Sequence, residues 1–285
     1  MPALSHHHLA APGVAPGDLA LIPDFVEDQA EAAALLEAVL GGRQGGGGGP
    51  LTTPAPAPSG PGWKLAAGRH VRSVGGTVLG SVLLPSPLPS WATGLVRRLG
   101  EAGVGFGDGS GGAPSATANR ANHVLANVYP AGAGILPHTD GPAYAPVAAI
   151  LSLGEDSPAV MRFFTAGAGD GGGGGGGGTG GAAPAFSIFL PPRSLLVFRG
   201  AAYTAHRHGI AADVGGDVVD GSLLNPAAAA AWAAAAGAGR EQQQQQQQQQ
   251  EEGQGQAPLT IRRGPLRVSL TVRRVLKVRA GMLRL

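Results

Sequence analysis

The chain has 285 residues, but 50 Gly and 24 Pro leave only about one domain of some 200 residues with side chains to pack. Twenty Lys and Arg against 18 Asp and Glu give a net charge of +2, too small to assign a partner by itself. There is no Cys, so disulfides, iron–sulfur clusters and thiolate zinc sites are excluded. No basic residue precedes Arg43 and Pro interrupts the early apolar stretches, so neither a secretory signal nor an Arg-rich transit peptide is expected. The longest apolar run, "PAAAAAWAAAAGAG", is too short and too rich in Ala to span a bilayer, and a soluble intracellular protein is expected.

In chain order, residues 1–19 read as a disordered N-terminus that includes the His6–His8 tract. The segment "IPDFVEDQAEAAALLEAVL" predicts an amphipathic helix, with Asp24 as N-cap and an apolar stripe of Leu35, Leu36, Val39 and Leu40. A low-complexity linker fills 41–62. "PSWATGLVRRLGEA" predicts a second helix, capped by Ser90 and stopped by Gly103. Strand-like text follows in "HVLANVYP" and "VAAILSLG", and "FSIFL", "PPR" and "SLLVFRG" together read as a hairpin. "RVSLTVRRVLKV" is the clearest strand. Low-complexity segments 165–184 and 212–260 are expected to be disordered or loosely ordered surface loops. Two helices followed by five or more strands predict an α+β domain, spanning 20–285, on a double-sheet jelly roll. Trp63, Trp91 and Trp232 are assigned to core or loops, and the Gly run at 171–178 lacks the Lys-Ser/Thr of a phosphate-binding loop.

The chemistry lies in four short motifs. Alternation on the last strand puts Arg267, Ser269, Thr271 and Arg273 on one face and Val268, Leu270 and Val272 on the other. Such a polar face either looks out to water or looks into a barrel, where two guanidiniums with hydroxyls between them suit a dicarboxylate. The basic run of Arg262, Arg263, Arg267, Arg273, Arg274, Lys277, Arg279 and Arg284 has the same ambiguity, between a solvated face and a site for anions. Asn127 and Tyr129 are two apart on one strand face and can donate to one anion. His138 and Asp140 offer adjacent imidazole and carboxylate ligands, which a distal His would complete into a 2-His-1-carboxylate face for Fe(II). For that third ligand "FRGAAYTAHRHGI" offers His206 and His208, which strand spacing cannot separate.

The ordered series N-x-Y, H-x-D, a distal His and R-x-S-x-T-x-R resembles the AlkB family of Fe(II)- and 2-oxoglutarate-dependent dioxygenases. "NHVLANVYPAGAGILPHTDGPAYAP", "PPRSLLVFRGAAYTAHRHGIAA", "RVSLTVRRV", "IPDF" and "AGRHVRSVGG" carry the likeness, which covers most of the chain outside the low-complexity segments. The resemblance implies a double-stranded β-helix with His138, Asp140 and His208 as iron ligands; His208 is preferred because the family's ligand stands directly before Gly-Ile. It implies 2-oxoglutarate held by Asn127, Tyr129, Arg267, Ser269, Thr271 and Arg273, with Arg267 on the distal carboxylate. Ser269 stands where the bacterial founder has Asn. The implied reaction consumes O2, releases succinate and CO2, and demethylates an alkylated base with loss of formaldehyde. The implied partner is alkylated nucleic acid, single-stranded or with the base flipped out, met by a monomer in nucleus and cytoplasm. Arg69, Arg72 and Tyr203 are the candidate substrate residues. "HTDGPAY" departs from the family in placing Gly141 and Pro142 where the bacterial repair enzyme has acids. Two other readings compete: a hydroxylase or demethylase of peptides, and a nucleic-acid-binding module with a vestigial iron site.

Overall fold

The computed structural model describes residues 3–41, 58, 60–107, 119–154, 156–166, 183–212, 216–244 and 259–279. Strand β1 (Leu19–Ile22) precedes helix α1 (Gln29–Leu40), and four short strands follow it: β2 (Lys64–Ala66), β3 (Arg69–Val74), β4 (Gly76–Leu79) and β5 (Val82–Pro85). Helix α2 (Ser90–Glu101) leads to β6 (His123–Pro130), β7 (Ile135–His138), β8 (Val147–Leu153) and β9 (Ala159–Thr165). Next come β10 (Phe186–Leu190), β11 (Leu195–Arg199), the short helix α3 (Gly200–Thr204) and β12 (His206–Ile210). The chain closes with β13 (Asp217–Val218), α4 (Pro226–Gln244), β14 (Thr260–Ile261), β15 (Leu266–Arg273) and β16 (Lys277–Val278).

Two mainly antiparallel sheets face each other. One has seven strands in the order β1-β11-β8-β15-β6-β3-β2, the other four in the order β10-β9-β12-β7. Leu19, Ala148, Ile150, Leu196 and Phe198 of the first meet Met161, Phe163, Phe186 and Ile188 of the second. Helices α1 and α2 cover the outer face of the larger sheet, over Val124, Ala126, Val128, Leu151, Val268, Leu270 and Val272. Trp63 and Trp91 pack against that layer. Because both faces of the central strands are covered, runs such as "VAAILSL" are buried throughout. The result is an α+β jelly roll.

Several expectations change. Helix α1 is capped by Asp28, whose side chain accepts from the Ala30 amide at 2.7 Å. Asp24 instead sits in a turn at φ 47° and pairs with Arg193. The first turn is displaced because residues 19–22 join the sheet. Helix α2 begins at Ser90 itself, with Pro89 at the cap and no side-chain cap bond, and Gly103 ends it at φ 86°. The N-terminus is ordered from Ala3: Leu4 is buried, its amide donates to Ala102 O at 2.9 Å, and His8 bridges Ala20.

The expected hairpin does not form. β10 pairs with β9 in one sheet while β11 pairs with β1 and β8 in the other, so "PPR" carries the chain across the sandwich. Segment 212–260 is structured where it is described: Asp217 and Val218 pair with Ile261 and Thr260, and α4 seats Ala229 and Trp232 on the outer face of the smaller sheet near Phe189. No helix among the described residues is long and apolar enough to cross a membrane. The Gly run at 171–178, the Gln run beyond Gln244, Arg284 and most of the 41–62 linker lie outside the described residues.

Candidate metal and co-substrate centre

Strand β7 lies at the margin of the smaller sheet and, among the described residues, pairs only with β12, which sets His138 directly opposite His208. Their rings lie 4.5 Å apart between centroids. Asp140, two residues past His138, joins them, so that one ligand atom from each of the three lies within 4.8 Å of the others. The bond between His138 Nδ1 and Leu136 O at 2.8 Å, with the proton on Nδ1, leaves Nε2 free to ligate. Burial pushes His208 down to about 4, with His138 and Arg273 acting in the same direction against Asp140, so the imidazole is neutral at ordinary pH.

The structure separates His206 from His208. Both are buried, but His206 Nδ1 bonds Ala201 O at 2.9 Å and its ring stands edge-on to Phe186. His206 is a core histidine with a partner and lies outside the three-residue group.

The polar face of β15 points into the sandwich, which decides between the two readings of that strand. All eight residues are buried, and Arg267, Ser269, Thr271 and Arg273 stand opposite Tyr129, Asn127, Leu125 and His123 of β6. A cavity of about 220 Å³ opens between the sheets and is bordered by His138, Asp140 and His208 at one side and by Asn127, Tyr129, Arg267 and Ser269 at the other. Among the basic run, Arg267 and Arg273 are buried while Arg262, Lys277 and Arg279 are exposed, so it forms no single solvated face.

Arg267 is 3% exposed; Nη2 donates to Ser152 Oγ at 3.2 Å, while among the described residues Nε and Nη1 have no hydrogen-bond partner. Its guanidinium lies over the Tyr129 ring at 5.3 Å. Burial lowers its pKa from the ordinary value, the signature of a desolvated cation short of a counter-ion. At the other end Arg273 bonds Asp140 Oδ1 and stacks on Tyr144 at 4.0 Å, leaving Asp140 Oδ2 buried and unpartnered. A carboxylate oxygen held free beside two imidazoles fits a divalent cation, and the unpaired fork of Arg267 fits a carboxylate. Asn127 is more committed than expected: its oxygen accepts from Arg69 Nε at 3.3 Å and its amide donates to Leu125 O at 3.3 Å.

Of the three substrate candidates, Arg69 alone lines the cavity. Arg72 lies on the opposite face of β3, where it bonds Val39 O and stacks on Trp63, because strand alternation turns it toward α1. Tyr203 stacks on Phe198; burial raises its pKa, and its hydroxyl has no partner. Sequence reading missed Tyr144 and Ser152. A hydroxyl within "VAAILSL" was the available signal for Ser152, and an aromatic four residues after Asp140 was the one for Tyr144.

A jelly roll with two histidines and one carboxylate facing a buried arginine defines a non-haem iron oxygenase of the 2-oxoglutarate-dependent class. The chain belongs to the 2OG-Fe(II) oxygenase superfamily, whose profile matches residues 83–273. It is thus an enzyme of the dioxygenase type using Fe(II), 2-oxoglutarate and O2. It is 27% identical over 196 residues to a Danio rerio protein described as "Probable RNA/DNA demethylase ALKBH6", covering 69% of this chain and 70% of that one. Among solved structures, OsALKBH1 aligns with TM-score 0.43 and 14% identity over 90% of this chain and 98% of the other. A 2OG-Fe(II) oxygenase family oxidoreductase from Burkholderia pseudomallei aligns with TM-score 0.43 and 13% identity over 90% and 84% of the two chains.

Proposed function

We propose that the protein oxidatively demethylates alkylated nucleic acid, releasing succinate, CO2 and formaldehyde. The observation that carries the reading is the convergence of His138, Asp140 and His208 on one point, across the cavity from the unpaired guanidinium of Arg267. Iron(II) held by His138, Asp140 and His208 would supply the chemistry by which O2 is consumed, one oxygen atom going to succinate as 2-oxoglutarate loses CO2 and the other to a substrate N-methyl group. The hydroxylated group then leaves as formaldehyde.

The chain's own residues do the positioning. Arg273 fixes Asp140 through one oxygen and so aims the other at the cation position. Leu136 O fixes the ring of His138. Arg267 takes the distal carboxylate of the co-substrate, with Ser269 and Thr271 beside it on the same face and Tyr129 beneath the guanidinium. Apolar Ile150, Met161 and Ile210 border the remaining cavity wall and exclude water from the reacting end. Support for nucleic acid comes from the description of the Danio rerio relative and from Arg69, a cation at the cavity where a phosphate could bind. Retention of all three ligands and both arginines speaks against a vestigial centre.

The test is succinate release by the purified full chain against pools of methylated RNA, methylated DNA and methylated peptides. Stimulation by a nucleic-acid pool, with formaldehyde in equal amount, is expected. Stimulation by peptides alone would move the substrate to protein.

A further inference from the structure

Arg263, on the loop between β14 and β15, is not among the residues that line the cavity. Its side chain is 6% exposed, and Asp217 on β13 is fully buried beneath it. Nε donates to Asp217 Oδ2 at 2.8 Å and Nη2 to Oδ1 at 2.7 Å, a bidentate pair. The guanidinium also donates through Nη1 to Ala133 O at 3.0 Å and through Nη2 to Ala211 O at 2.7 Å. Asp217 in turn accepts from the Val160 amide at 3.0 Å and from Arg162 Nη1 at 3.3 Å.

These contacts have a direction. Val160 is on β9, Ala211 follows β12, and Ala133 precedes β7, and those three strands are adjacent in that order. The pair therefore reaches across the sheet to its marginal strand. β7 is short, has β12 as its one neighbour among the described strands, and its register shifts between His208 and Ile210. Marginal strands with irregular pairing specify register weakly, and a one-residue slip would turn His138 to the other face. The backbones also approach too closely for side chains here: a Cβ on Gly134 would lie 2.3 Å from Ile210 O. Something must hold the open end of this strand pair, and the planar fork of an arginine, satisfying two carbonyls and one carboxylate at once, has the geometry to do it.

A buried ion pair contributes little net stability compared with apolar groups of the same volume; its better-supported use is to select one arrangement over others. We propose that Arg263, locked by Asp217, is a positioning residue for the metal centre, strapping β9, β12 and β7 in the register that sets His138 against His208. The proposal rests on the reading of those histidines as metal ligands.

Cobalt(II), whose d–d absorption reports coordination geometry, is the probe. Its affinity and spectrum are measured for the full chain and for two variants, with thermal unfolding of each in parallel. Arg263→Met/Asp217→Asn removes both charges of the pair, and Arg162, which loses its carboxylate partner, keeps its bond to Val218 O. Arg263→Lys keeps the charge pair but cannot also reach both carbonyls. In both variants the Kd for cobalt(II) is expected to rise at least tenfold with an altered spectrum, and in Arg263→Lys this occurs with little change in melting temperature. Wild-type affinity and spectrum in either folded variant would reduce Arg263 to a clasp for β13 and β14 and overturn the proposal. Failure of the unmodified chain to bind cobalt(II) would overturn the ligand assignment, and this inference with it.

Discussion

Replacing Arg267 by Met tests how the co-substrate is recognised. Arg267 is 3% exposed and its Nη2 donates to Ser152 Oγ at 3.2 Å. Among the described residues Nε and Nη1 have no hydrogen-bond partner. A carboxylate docking there gains two charge-assisted bonds in a desolvated site. Truncating one member of such a pair costs about 2–5 kcal/mol, which is roughly 30-fold to several thousand-fold in affinity. 2-Oxopentanoate has the chain of 2-oxoglutarate without the distal carboxylate, so it isolates this contact. In calorimetric titrations with manganese(II) replacing iron, the wild type should prefer 2-oxoglutarate by that factor, and Arg267→Met should show almost no preference. The variant should melt no lower than wild type without ligand, because an unpaired buried cation has been removed. Equal discrimination between the two acids by both proteins would refute the anchor.

His138→Ala and His208→Ala should each abolish binding of iron or cobalt, whereas His206→Ala should spare it; metal content after desalting distinguishes them, and the reverse result would exchange the two β12 histidines. In Gly209→Ala the new methyl would lie 2.8 Å from Ile135 O and 2.9 Å from the Pro137 amide nitrogen, forcing β7 outward. Overpacking of that kind costs about 1–3 kcal/mol, and denaturant midpoint and metal affinity should fall together; a stable variant with unchanged affinity would contradict the close packing. His123 is buried with both ring nitrogens unpartnered among the described residues, and burial, then Arg273, push it from 6.5 to about 4. Between those values the unfolded chain takes a proton that the folded one refuses, so stability should fall by up to about 3 kcal/mol as the pH drops through this window. Urea midpoints of wild type and His123→Gln should diverge at pH 4.5 and run parallel from pH 7 to 8; the same acid slope in both would remove His123 as the cause.

How far residues could be read from sequence depended on how local their signal was. Alternation on β15 and the two-residue spacings of Asn127 with Tyr129 and His138 with Asp140 are properties of a single strand, and they placed the cavity's walls. Whether the arginine face looked inward was a long-range matter, settled by α1 and α2 covering the opposite face. His206 and His208 share one face of β12, and only register against β7 separates them. The glycine after His208 has a steric reason, the backbone of β7 passing beneath it. "FSIFL" and "SLLVFRG" misled because two apolar strands joined by a short turn look alike whether they pair or cross between sheets. In "PAAAAAWAAAA", a Pro at the first helical position and strong helix formers announced α4, while low complexity suggested a loop. Asp217 and Arg263 stood in segments that carry no motif at all.

The pairing of Asp217 and Val218 with Ile261 and Thr260 brings together the two ends of everything between them, including the glutamine run. For a segment closed at its base, added length raises the closure cost by about 0.6 kcal/mol for each doubling. Lengthening or shortening of the glutamine run between generations would therefore leave the catalytic half of the molecule almost untouched, and variants differing there should share one turnover rate.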